Sequence, residues 1–124
     1  MNIQDILNEK EDVITGKGAS LELIEKAESE LGISFSADYK DYLKTVGLVM
    51  CNGHELTGLG NSERTNVVDV TKHMRELRKD IPDDWYVIEN MNIDGACMWQ
   101  NSLGEVYFNK KKEADSFYSY LRDL

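Results

Sequence analysis

The stretch that most restricts the fold is residues 85–108, WYVIENMNIDGACMWQNSLGEVYF. It holds three short runs rich in aromatic, β-branched and other apolar residues, at 85–91, 96–100 and 105–108. Two tetrapeptides separate them, Asn92-Ile93-Asp94-Gly95 and Asn101-Ser102-Leu103-Gly104, and each ends in a residue that enters positive φ without steric cost. This spacing predicts a three-stranded antiparallel meander. So small a sheet is unstable alone in water and needs helices packed on it.

The remaining residues have the helical spacing that such packing requires. Ile3, Ile6 and Leu7 predict a short helix within the first dozen residues, broken by Gly16 and Gly18. Ser20 is suited to cap a helix over 21–31 whose Leu23, Ile24, Ala27 and Leu31 share one face, with Gly32 at its end. Ser36 is suited to cap a second over 37–46, with Tyr39, Tyr42, Leu43 and Val46 inward. Asn52-Gly53 predicts a hairpin turn between 48–51 and 54–59. A third strong helix is expected over 67–79, with Val67, Val70, Met74 and Leu77 on its apolar side. A closing helix is expected over 111–124, with Ala114, Phe117, Leu121 and Leu124 inward. Strands clustered in hairpins, rather than alternating with helices, predict a single α+β domain over residues 1–124, a central and mostly antiparallel sheet packed with N-terminal, middle and C-terminal helices.

Charge narrows the partners. The chain has 124 residues, 14 basic and 23 acidic, for a net charge of −9. Phosphate backbones and anionic membranes are bound through Lys and Arg, so neither nucleic acid nor membrane is the expected partner. A basic protein would be drawn in faster. Acidity also serves solubility alone, and composition does not separate the two. The first residues lack the basic start and apolar run of a signal peptide, and no window is long enough to span a bilayer, so a cytoplasmic location is expected.

A search for chemistry returns little. His54-Glu55 opens like a zinc-protease motif, but the second histidine would fall at Gly58. His73 has no Cys or His at ligand spacing. Gly58-Leu59-Gly60 is not a dinucleotide loop, because Glu63 stands where its third glycine belongs. Cys51 or Cys97 could pair with His54 as a nucleophile, yet no third orienting group is evident, and two buried thiols are the simpler reading. No metal, cofactor or catalytic residue is expected. If one meander face packs on helices, alternation turns about half of Trp85, Tyr86, Trp99 and Tyr107 outward. Exposed rings among carboxylates suit a protein–protein contact; the same rings could instead fill core.

The residue order itself resembles a known group. LIEKAESELGISFSADYKDYLKTVG carries an acidic helix ending in Leu31-Gly32, a step at Phe35, and a Tyr39-Lys40-x-x-Leu43 helix running into Gly47. With LTGLG, the 67–78 helix, the 85–106 hairpin region and ADSFYSYL, it is similar to the SUKH superfamily over residues 20–124. That superfamily includes bacterial immunity proteins and fungal cell-wall assembly regulators. Two departures stand out: Ser36 replaces a usual proline, and Trp99-Gln100 stands where an acidic residue is frequent. The resemblance implies a non-enzymatic antitoxin that binds a basic toxin domain, of nuclease type, and blocks its active site or substrate path. It equally allows a regulatory scaffold like the fungal relatives. A monomer or weak homodimer is expected. The expected contact residues lie on the exposed side and rim of the meander: Glu55, Glu63, Asp83, Asp84, Trp85, Glu89, Asp94 and Trp99.

Overall fold

The computed structural model describes residues 3–60, 62–93 and 95–124. The chain opens with α1 (Ile3–Asn8), a two-residue strand β1 (Ile14–Thr15), α2 (Leu21–Leu31) and α3 (Ala37–Thr45). Ser20 and Ser36 both cap as their sequence positions suggest. Each is extended, and each hydroxyl accepts the amide N–H three residues on, from Leu23 and Tyr39, at 3.2 Å. Gly32 closes α2 in the left-handed conformation and directs its N–H at the last carbonyls. A hairpin follows, β2 (Val49–Cys51) and β3 (His54–Glu55), turned by Asn52-Gly53 with both residues at positive φ.

After α4 (Val67–Leu77) comes the meander, in the order β4 (Tyr86–Asn90), β5 (Cys97–Gln100), β6 (Val106–Phe108) and β7 (Lys111–Ala114). The last element is α5 (Phe117–Arg122). Strands β1, β2 and β3 form one antiparallel sheet, and β4 to β7 form another. The two meet where Leu56 bridges to Glu89 and the Thr57 N–H donates to the Ile88 carbonyl at 2.8 Å. The class is α+β.

Residues 111–114 correct the expected closing helix: they form the meander's edge strand. Asn109, at φ 54, turns the chain so that Lys111 pairs with Phe108. The helix starts only after Ser116, extended at φ −155, caps it by accepting the Ser119 N–H. Strand β1 was also unexpected; it is two residues long and both are exposed.

Both faces of the meander are covered. On one side α1, α2, α3 and α5 enclose the larger core, in which Phe35, Tyr39, Tyr42, Tyr86 and Phe117 meet ring to ring at 4.6–5.4 Å. Tyrosine hydroxyls buried there have partners. The Thr57 hydroxyl donates to the Val87 carbonyl, so the Tyr39 hydroxyl, 2.7 Å away, donates to Thr57. The Tyr42 hydroxyl donates to the Thr57 carbonyl, and Tyr86 donates to Gln100 while accepting the Ser36 N–H. Burial pushes the acidity of all three phenols far from its ordinary range, leaving them neutral donors. On the other side, Val70 and Met74 of α4 cover Val87, Cys97 and Trp99 together with Ile81 from the loop that follows the helix.

Two glycines allow the backbone to close on itself. A Cβ at Gly58 would lie 1.7 Å from the Gly47 carbonyl oxygen, and one at Gly47 would lie 2.0 Å from that of Lys17. Gly47 also sits at φ +69, so any side chain there is strained as well as blocked.

Candidate functional site

Two of the expected contact residues lie inside the protein. Trp99 is 0% exposed beneath α4, and its indole N–H has no hydrogen-bond partner among the described residues. Alternation does turn it away from the large core, but α4 covers that face too. Glu89 is 4% exposed. The register slips between Val87 and Glu89, so this carboxylate points at the hairpin and α5. One of its oxygens lies 2.8 Å from Nδ1 of His54, and the other accepts from the Tyr120 hydroxyl. Glu89 therefore ties the two sheets to α5.

The surface residues fall at opposite ends of the meander. At one end, Asp83 and Asp84 are exposed, and half-buried Trp85 stacks on Tyr107 with ring centroids 4.3 Å apart. Cations accompany this part of the molecule: Arg75 donates to the Asp83 carbonyl at 2.6 Å, and Lys112 bridges Glu105 and Asp115. At the other end, Glu55 pairs with Arg64 while Glu63 is exposed beside it. There Glu63, Arg64, Asp69, His73 and Asn90 surround a cleft against Val70. A neighbouring cleft shares Arg64 and Asn90 and adds Glu55, Thr57 and Asn92. Asp94 lies outside the described residues. Asp69 belongs to no single motif, and His73 fits none as a metal ligand. Their spacing of four on the polar side of an amphipathic helix was the available signal.

The paired glycines, the Tyr39-Lys40-x-x-Leu43 helix leading into Gly47, and the meander between α4 and α5 agree with the resemblance in the sequence. Residues 2–124 match the family described as SMI1-KNR4 cell-wall, SUKH_5. The chain belongs to this SUKH family. The match extends the resemblance from residues 20–124 back through α1, whose Ile3, Ile6 and Leu7 are buried in the large core. No curated protein matches the chain. SUKH proteins are generally non-enzymatic immunity or regulatory proteins.

The SUKH fold here does create one grouping that resembles a nucleophile with its base. Cys51 pairs with His54 across the hairpin, so both side chains share a face, and Glu89 supplies the third group not evident from sequence. The electrostatics run the wrong way for catalysis. Cys51 is 3% exposed, and burial pushes its thiol up; the Cys97 thiol is pushed up to about 11 by the same cause. A nucleophilic cysteine needs its thiolate favoured, and no hydrogen bond joins Cys51 to His54. Both cysteines are free and buried. Among the described residues, no helix is long and apolar enough to cross a membrane.

Proposed function

We propose that this protein is an immunity protein that binds and neutralises a cognate polymorphic toxin, of nuclease type, by occluding its active site or substrate path. Membership of a family that includes bacterial immunity proteins is the observation that carries the reading. The net charge of −9 supports it, because a nucleic-acid-cleaving domain needs a basic groove and an acidic inhibitor is steered to one. The raised thiols support action by binding rather than by covalent chemistry. In this reading the protein works in the cytoplasm, as a monomer or weak homodimer.

Co-expression with the toxin domain encoded beside its gene is the test. Rescue of growth, a stoichiometric complex and an association rate that falls as salt rises are the expected results. Failure to bind or to rescue would end the reading. A second reading, a regulatory scaffold for several cellular proteins, draws on the cell-wall description of the matching family. A gene with no toxin neighbour, together with capture of several defined partners, would favour it.

A further inference from the structure

We propose that the outward stripe of α4, with Asn92 and Ile93 after β4 and the 62–66 loop, is the docking surface for the partner. We further infer that the partner presents a basic segment carrying an apolar side chain. The inference rests on the reading of the protein as a binder of a basic partner, and it names the face.

Its placement follows from the geometry of α4. Val67, Val68, Val70, Thr71 and Met74 are buried, which leaves Asp69, Lys72, His73, Glu76 and Leu77 facing outward. Lys72 reaches towards α2, 3.6 Å from Glu30. His73 and Val70 line the opposite flank with Asn90 and Glu63. The end of α4 abuts the β4–β5 turn, where a Cβ on Gly95 would sit 4.0 Å from Cδ of Arg78. Leu77 and Ile93 are 58% and 66% exposed there. Two large apolar side chains thus lie in water at one end of a face whose other end is a polar cleft.

Charge decides the occupant. Among the described residues, the Glu63, Asp69 and Glu76 carboxylates have no hydrogen-bond or ion-pair partner. Elsewhere on the meander the acids are largely answered. Asp80 is held by Arg78 and Lys110, Glu105 and Asp115 share Lys112, and Lys110, Lys111 and Lys112 run consecutively into the edge strand β7. Those lysines discourage strand addition at the edge and repel a basic partner. Among the described residues the Asp83 and Asp84 carboxylates also lack partners, but Arg75 places a cation beside them. The α4 stripe combines unanswered negative charge with exposed apolar area, a pairing that suits a Lys/Arg-rich segment with an apolar anchor.

The experiment uses the full chain, ¹⁵N-labelled, titrated with a helical Lys/Leu peptide at low and moderate salt. Amide shifts should change at Glu63, Arg64, Asp69, His73, Glu76, Leu77, Asn90 and Ile93. The triple variant Glu63→Gln, Asp69→Asn, Glu76→Gln should weaken peptide binding about tenfold, and Leu77→Ser with Ile93→Ser should weaken it several-fold. Asp83→Asn with Asp84→Asn should change it by less than about twofold. All these positions are exposed, and retained shift dispersion verifies folding. Shifts centred on residues 83–85, shifts spread over the whole surface, absence of binding, or an unaffected triple variant would each overturn the proposal. The same amides shifting with protein concentration alone would identify a second copy as the occupant and would also overturn it. Toxin rescue is read separately: peptide binding on α4 without rescue leaves the surface and removes the immunity role. Rescue that survives the triple variant leaves the role and removes the surface.

Discussion

The two faces of the meander are built to different standards. The helix-rich face buries a cluster of touching rings, and the Tyr39, Tyr42 and Tyr86 hydroxyls all have hydrogen-bond partners. The α4 face buries fewer side chains and, among the described residues, leaves the Trp99 indole N–H unanswered. Large satisfied clusters specify a unique packing, whereas an orphaned donor marks a site where the chain tolerates a cost. The thick face accordingly fixes the fold. The thin face needs only one helix, and that helix keeps its outer stripe in water.

Truncation in the ring cluster is the severest test of this contrast. Phe117→Ala removes a ring that touches both Tyr39 and Tyr42 and should cost about 3–5 kcal/mol in urea unfolding. If it costs no more than a truncation beneath α4, such as Val87→Ala, the thick face does not dominate stability. Next in size is the buried carboxylate. Glu89→Ala leaves His54 and Tyr120 without their shared acceptor and should cost about 2–3 kcal/mol. A neutral result would mean that the two sheets and α5 hold together without it.

A closer comparison uses one polar atom from each face. Tyr86→Phe deletes a hydroxyl that donates to Gln100 and accepts from Ser36, and should cost about 1–2 kcal/mol. Trp99→Phe loses ring volume but also removes an unsatisfied donor, so its net cost should fall below about 1.5 kcal/mol. Equal and large losses at both positions would show that the indole N–H is satisfied in solution.

The features legible in the sequence were those set by local periodicity. Ser20 and Ser36 cap where their spacing from the apolar stripes places them, and strands β4, β5 and β6 fall within the three apolar runs. Alternation predicts that about half of Trp85, Tyr86, Trp99 and Tyr107 turn outward, but period alone cannot say what covers a face, and burial of Trp99 depends on α4 crossing it. Lys, Glu and Ala at 111–114 favour helix locally, while the features that make this segment a strand are a turn at Asn109 and a cap at Ser116. Charge pairing was the least legible. Glu55 and Glu63 look alike in sequence, yet Arg64 pairs with Glu55, and Glu63 has no partner among the described residues. Only tertiary placement separates a paired carboxylate from one available to a partner.

The smallest expected effect lies where the thin face is clamped. Arg78 follows α4 and holds Asp80 through two hydrogen bonds of 3.1 Å, while Lys110 in the β6–β7 turn lies 3.7 Å from the same carboxylate. The hydrogen-bonded Arg78 guanidinium is the largest cause of the drop in the Asp80 carboxyl to about 2, against an ordinary value of 3.8. A depressed acid stabilises the fold while it is ionised in both states. Its contribution is therefore whole above the ordinary value and disappears as pH falls through about 2. Asp80→Asn should lower the urea midpoint slightly near neutrality and converge with the parent at the acid limit. Because the pair is exposed, added salt should shrink the neutral difference. A gap that persists through the acid limit would mean that the side chain acts by shape rather than charge, and that the end of α4 is held by packing, as the thick face is.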